Sequence, residues 1–181
     1  MFSDFNDRIQ RTEIAGDDWI RGRADAPVTI LEYGDFECPY CAMARPVLEG
    51  LVNEYSEDIR LVYRHFPVTT THPHARIAAE SAEAAGAQGK FWEMHDMLFT
   101  HQDRLELEDL RRYAQAIGLD LRRFDQEMQN RGYEDEVRRD YRRGIQDGVN
   151  GTPSIFINGL RYDGPRDYRS ILAAIESRVA V

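Results

Sequence analysis

Val28-Thr29-Ile30-Leu31-Glu32-Tyr33-Gly34-Asp35-Phe36-Glu37-Cys38-Pro39-Tyr40-Cys41 is the stretch on which the reading of this chain turns. Its first seven residues form a nearly continuous β-prone run, the pattern of a strand buried on both faces. Its last four are a Cys-x-x-Cys. From Pro39 to about Tyr55 the residues Val47, Leu48, Leu51, Val52 and Tyr55 recur at helical spacing. A dithiol between a strand and a helix reads as redox-active. Cys38 and Cys41 are the only two cysteines among 181 residues. No other thiol is present for a structural disulfide or a four-thiolate zinc site.

The chemistry of such a pair sets conditions on its neighbours. The attacking species is the thiolate, so one sulfur must be stabilised as an anion. Cys38 falls where the strand gives way to the helix, beside unpaired N–H groups and the positive end of the helix dipole. Pro39 suits the first helical position, where its missing donor costs nothing. Cys41 lies one turn further on. These positions predict an exposed nucleophile of low pKa at Cys38 and a more buried resolving thiol at Cys41. Glu32 is an acid in an apolar strand, and burying a carboxylate costs several kcal/mol. A proton acceptor beneath Cys41 explains it; a water-facing edge position is the alternative. Gly151-Thr152-Pro153-Ser154 precedes a late strand, where proline suits a turn or a cis bond. A cis peptide facing the cysteines offers backbone groups to an extended substrate; an ordinary trans loop proline is the alternative. A metal would need two ligands besides the sulfurs. Of His65, His72, His74, His95 and His101, only His72-Pro73-His74 is tightly spaced, and it is poorly arranged to aim both rings at one ion. The histidines therefore read as loop, cap or core residues, and no metal is expected.

Outward from the dithiol, residues 1–24 are polar and read as a lead-in on the domain edge, with Trp19 and Ile20 as docking points. Ile59 to Phe66 is a second strand, which makes a βαβ unit with a right-handed crossover. Residues 73–148 read as helical throughout. Ser154 to Ile157 and Leu160 to Tyr162 flank Asn158-Gly159, a strong hairpin turn. Asp167 to Val179 is a closing helix. The expected organisation is a core of residues 25–72 and 149–181, with a mixed central sheet flanked by helices, and an all-helical insertion of residues 73–148 between the second and third core strands.

Composition narrows the function. Hydrophobic residues at 42% and charged residues at 30% are those of a globular protein. A net charge of −9 argues against nucleic acid as the main partner. No stretch is long and apolar enough to span a bilayer, so no direct membrane insertion is expected. Residues 1–8 have no apolar run of signal-peptide length. As it stands the sequence reads as cytoplasmic, or as exported if a signal peptide has been removed.

Several stretches in order resemble a known family: Ala26-Pro27-Val28-Thr29, Glu32 to Cys41, Arg64-His65-Phe66-Pro67, His72-Pro73-His74-Ala75, Gly89-Lys90-Phe91-Trp92 and Gly151 to Gly159. Together they resemble the DsbA-like members of the thioredoxin-fold superfamily. They are especially similar to the thioredoxin-like domain found fused to NhaA-type sodium/proton antiporters. The resemblance implies a thioredoxin fold, α/β, with a helical insertion and no diffusible cofactor. It gives Cys38 the nucleophilic role, Cys41 the resolving role and Glu32 the buried acid. It makes Pro153 the cis-proline and Pro46 the proline that kinks the active-site helix, and it sets Pro39, Tyr40, Thr152 and Pro153 against the substrate. Tyr40 stands where strongly oxidising members have histidine, which argues against strong oxidising power, and Cys-Pro-Tyr-Cys is also similar to the glutaredoxin tetrapeptide, which implies an intermediate potential. The expected activity is thiol–disulfide oxidoreduction of protein or peptide thiols and disulfides, with a redox partner that recycles the dithiol. Reduction or isomerisation is expected in a cytosol, and oxidation if the protein is exported. The alternative is a redox-responsive binding module whose Cys38–Cys41 disulfide controls partner docking without turnover.

Overall fold

A computed structural model describes residues 12–179 of the protein. Residues 1–11 of the expected lead-in, including the stretch read for a signal, lie outside the described residues. Among the described residues, five strands and seven helices follow in the order β1 (Trp19–Arg21), β2 (Val28–Gly34), α1 (Pro39–Glu54), β3 (Ile59–His65), α2 (Ala75–Gly86), α3 (Phe91–Thr100), α4 (Leu107–Ala116), α5 (Leu121–Gln129), α6 (Glu134–Gln146), β4 (Ser154–Ile157), β5 (Leu160–Tyr162) and α7 (Tyr168–Val179).

The strands form one sheet in the order β1-β3-β2-β4-β5. The central pair β2–β3 is parallel, joined by α1 as the crossover, and the remaining pairs are antiparallel. Trp19 and Ile20 do more than dock. They belong to β1, which pairs with β3 in the register Trp19↔Tyr63 and Ile20↔Val62, so the sheet takes its first edge from the segment read as a lead-in. The Asn158-Gly159 turn has positive φ at both residues, 48° and 80°, as a tight hairpin between β4 and β5 requires.

Every residue of β2 is buried, which accounts for its lack of alternation. β3 is also buried along nearly its whole length, so its polar members need partners. Arg64 donates to Asp18 at 2.7 Å and to the Tyr33 hydroxyl at 2.9 Å, and His65 Nε2 lies 2.9 Å from Glu83. One sheet face packs Ile30, Leu61 and Ile157 against Leu48 and Leu51 of α1 and Ile171 of α7. Each such aliphatic side chain contributes about 1.5–3 kcal/mol on full burial. Five helices, α2 to α6, fill residues 75–146 between β3 and β4. Their core of Phe91, Met94, Leu98, Leu110 and Phe124 continues directly into Phe36, Cys41 and Tyr63 at the end of the central strands. Trp19 stacks on Phe91 with centroids 4.5 Å apart and planes 6° from parallel. Gly86 permits this, since a Cβ there would collide with the Trp19 indole. No helix of the described residues is long and apolar enough to cross a membrane.

Candidate active site

Cys38 ends the loop after β2 and is the N-cap residue of α1, with extended backbone (φ −79°, ψ 119°) and Pro39 in the first turn behind it. No side chain caps this helix end. The Cys41 and Ala42 N–H groups turn back to the Cys38 carbonyl at 3.1 and 3.3 Å, so one turn of helix sets the two cysteines side by side. Both thiols are free. The loop from 151 to 153 covers them: Cys38 Sγ lies 3.5 Å from the Thr152 carbonyl, and the Thr152–Pro153 peptide is cis. This cover corrects one expectation. Cys38 is not an open thiol but only 3% exposed, and Cys41 is fully buried.

The two sulfurs occupy opposite electrostatic situations. Cys38 is pulled down to about 5, chiefly because the Cys41 thiol hydrogen-bonds to it. Burial opposes this, while Thr152 and the N–H groups of Cys41 and Tyr40 favour the anion. Burial pushes Cys41 well up, and its bond to Cys38 and the nearby charge of Glu32 push it further. Glu32 lies on β2 opposite Tyr63 of β3 and Ile155 of β4, 2% exposed, with no hydrogen-bond partner for Oε1. Burial raises its carboxyl to about 8, the Cys38 charge adds to this, and Arg166 opposes it. The edge-position alternative for Glu32 is thereby excluded.

The remaining expected residues separate into two groups. Thr152 and Pro153 meet the sulfurs from the loop before β4. Pro39 and Tyr40 are exposed, and Tyr40, 65% exposed, borders a groove of about 460 Å³ shared with Met43, Val47, Pro165 and Arg166. Pro46 sits inside α1, where its nitrogen cannot donate.

Two further contributors, Arg166 and Gln102, carry no sequence signal. Arg166, in the loop before α7, donates to the Pro153 carbonyl at 3.1 Å. Gln102, after α3, donates to the carbonyls of Phe36 and Cys38 at 2.8 and 2.9 Å. The buried Asp35 carboxylate accepts from the Glu37 and Val68 N–H groups, both at 2.8 Å, and lies 2.8 Å from His72 Nδ1. His72 thus serves the loop before Cys38, as does His74, whose Nδ1 lies 2.9 Å from Glu37 Oε1. Two other groupings, Glu49 with His95 and Asp96, and His65 with Glu83 and Asp140, bring ligand-type atoms together among the described residues. Neither includes a sulfur.

A mixed sheet with a parallel central pair, a Cys-x-x-Cys at the tip of the crossover helix and a cis-proline loop against it define a thioredoxin-fold protein with a dithiol centre. The thioredoxin family profile matches residues 15–177, and the chain belongs to that family. Over 163 residues it is 46% identical to the Na(+)/H(+) antiporter NhaA 3 of Salinispora tropica, a match covering 90% of this chain and 25% of that protein. The chain therefore spans about a quarter of the length of the curated relatives it matches. Its fold is DsbA-like. It is similar to a thioredoxin-like oxidoreductase from Silicibacter pomeroyi (TM-score 0.80, 26% identity, 92% and 94% of the two chains covered). It is also similar to Pseudomonas aeruginosa DsbA2 (TM-score 0.73, 25% identity, 92% and 97% covered).

Proposed function

We propose that this chain is a thiol–disulfide oxidoreductase acting on protein disulfides through a mixed disulfide at Cys38, resolved by Cys41. The observation that carries the reading is Cys38 at the N-cap of α1, its Sγ 3.5 Å from the Thr152 carbonyl and Cys41 one turn behind it, an arrangement that draws the first thiol down to about 5 while burial drives the second up. In the reductive direction the Cys38 thiolate attacks one sulfur of the substrate disulfide. The Cys38–substrate bond forms, the substrate S–S bond breaks, and the other substrate sulfur leaves as a thiolate that takes up a proton. Cys41 then gives its proton to Glu32 and attacks Cys38 Sγ. The Cys38–Cys41 bond forms and the second substrate thiolate departs. Oxidation is the same path reversed, and a redox partner restores the starting state.

Glu32 suits the proton step. Its carboxyl is held up partly by the negative charge of Cys38. That charge vanishes once Cys38 is in a mixed disulfide, so Glu32 ionises more readily as Cys41 needs an acceptor. Thr152, Pro153, Pro39 and Tyr40 border the approach to Cys38 and are assigned to the substrate.

Stabilising the thiolate stabilises the reduced pair and makes the disulfide more oxidising. A Cys38 value of about 5 falls between values of about 7 and about 3.5 for weakly and strongly oxidising pairs, which supports an intermediate potential. In a cytoplasmic setting the chain would reduce or isomerise; exported, it would oxidise. Insulin reduction with dithiothreitol tests the activity: the wild type should accelerate precipitation, and Cys38→Ser should abolish the acceleration. An inactive wild type, both here and in refolding of scrambled ribonuclease, would overturn the proposal. The antiporter names of the relatives favour a second reading, a redox-responsive docking module. It predicts oxidation-dependent binding to a transporter domain with no turnover in either assay.

A further inference from the structure

The sequence motif His72-Pro73-His74 has no part in the exchange chemistry, yet it is built into the loop that presents Cys38. His74 Nδ1 lies 2.9 Å from Glu37 Oε1, and the His74 N–H donates to Glu37 Oε2 at 2.7 Å. Both carboxylate oxygens of the residue preceding Cys38 are thus held by one residue. The other ring nitrogen, Nε2, lies 3.0 Å from Glu106, the N-cap residue of α4. Glu37, from the loop before α1, and Glu106, from the start of α4, are the charged groups that contact His74. The neighbouring Asp35 is engaged by His72. With a hydrogen on each nitrogen the ring donates to both carboxylates at once; a neutral ring has a hydrogen on only one.

We propose that His74, through Glu37, is a positioning residue for Cys38, so that protonation of this histidine and formation of the Cys38 thiolate favour each other. The inference deepens the proposed function and rests on Cys38 as the reactive thiol. Glu37 places a negative charge one residue from a sulfur that must itself become negative. The imidazolium offsets it and spans to Glu106, tying the active-site loop to the helical region. Glu37 and then Glu106 keep His74 protonated to higher pH than an ordinary imidazole. The histidine is therefore charged over the range near pH 5 in which Cys38 titrates. By linkage, what His74 does to the thiolate the thiolate must do to His74. Closing the disulfide removes the thiolate and should make His74 easier to deprotonate.

The test is a titration and needs no substrate. The His74 ring resonances, followed by NMR in the reduced and the oxidised wild-type protein and assigned with His74→Gln, should titrate at higher pH in the reduced form. In His74→Gln, the 240 nm thiolate absorbance of Cys38 should shift its midpoint upward by about half a pH unit, the scale of one screened charge beside the site. Glu37→Gln combined with His74→Gln should bring the midpoint back, because the charge that the histidine offsets is gone. A histidine titration identical in both redox states, or a His74→Gln midpoint equal to wild type, would overturn the coupling. Failure of the insulin assay with this linkage intact would instead remove the oxidoreductase reading and leave the coupling standing.

Discussion

Glu32→Gln is the perturbation whose consequence can be worked furthest. In the folded protein the Glu32 carboxyl is raised from 4.5 to about 8, with burial as the first cause. Below pH 4.5 both folded and unfolded states hold the proton, and the group contributes nothing to the pH dependence of stability. Between 4.5 and 8 the unfolded chain ionises while the folded protein does not. The native state then binds more protons and stability falls with rising pH. Each unit corresponds to about 1.36 kcal/mol. For a shift from 4.5 to about 8, the cost reaches about 3 kcal/mol at pH 7 and levels off near 5 kcal/mol above pH 8. Glutamine cannot titrate, so the variant should escape this loss. The comparison belongs in a Cys38→Ser/Cys41→Ser background, which removes thiol titration. It also removes the charge of Cys38, the second cause, so the upper break should move below 8 while the burial effect stays. Urea unfolding at half-unit intervals from pH 4 to 9 gives the curve. The stability gap between Glu32→Gln and its parent should widen steadily above pH 4.5 and then flatten. Parallel curves would mean that Glu32 ionises as freely inside the protein as outside, and the argument for a neutral buried acid would fail.

Other outcomes follow from the same geometry. Reduced wild-type protein should show one thiolate step near pH 5 at 240 nm, absent in Cys38→Ser, and iodoacetamide should modify Cys38 before Cys41. Because the folded Cys38 value is depressed from 9.0 to about 5, its contribution to the reduced state is full above pH 9 and lost as pH falls through 5. Reduced wild type should therefore gain stability over Cys38→Ser between pH 5 and 9, and equal pH profiles would count against the low thiol. Cys41→Ser should accumulate a mixed disulfide with a substrate protein, visible on a non-reducing gel, whereas Cys38→Ser should not. Gly86→Ala drives a Cβ into the Trp19 indole and should cost about 1–3 kcal/mol in urea unfolding, in line with other overpacked sites.

What could be read from sequence was whatever is encoded locally. The buried strand β2, the helix opening at Pro39, the glycine-backed turn at 158–159 and the spacing of apolar residues in α2 to α7 are all signals within a short window. Glu32 was legible because an acid in an apolar run is an anomaly in its own neighbourhood. β1 was not, since three residues give too short a window for periodicity and the strand exists only because β3 offers an edge. Nor does the short window of β3 show that its polar members are buried. Arg64 and His65 are buried because Asp18 and Glu83 meet them from distant parts of the chain. The shielding of Cys38 depends on a loop 114 residues away. Gln102 and Arg166 reach the site from loops, with no repeat to mark them.

The covered site also answers how a resolving thiol that starts out inert can act in the proposed cycle. Four influences raise Cys41: burial, the hydrogen bond to Cys38, the charge of Glu32 and the charge of Cys38. The second and fourth depend on Cys38 being a free thiolate. Once Cys38 bonds to a substrate sulfur, its charge is gone and it no longer draws the Cys41 hydrogen. The same event eases ionisation of Glu32, which had been resisting the Cys38 charge. The proton on Cys41 thus loses two of its reasons to stay as its acceptor becomes more available. A centre so arranged suppresses the second thiolate while the first is unreacted and releases it afterwards, with no moving part beyond the exchange itself. In a trapped mixed disulfide formed with a small aromatic thiol, release of that thiol should therefore rise with pH through an inflection below the Cys41 value of the reduced protein. Glu32→Gln should slow that release without altering the first attack by Cys38. Equal slowing of both steps would locate the role of Glu32 in the architecture of the site rather than in the proton transfer.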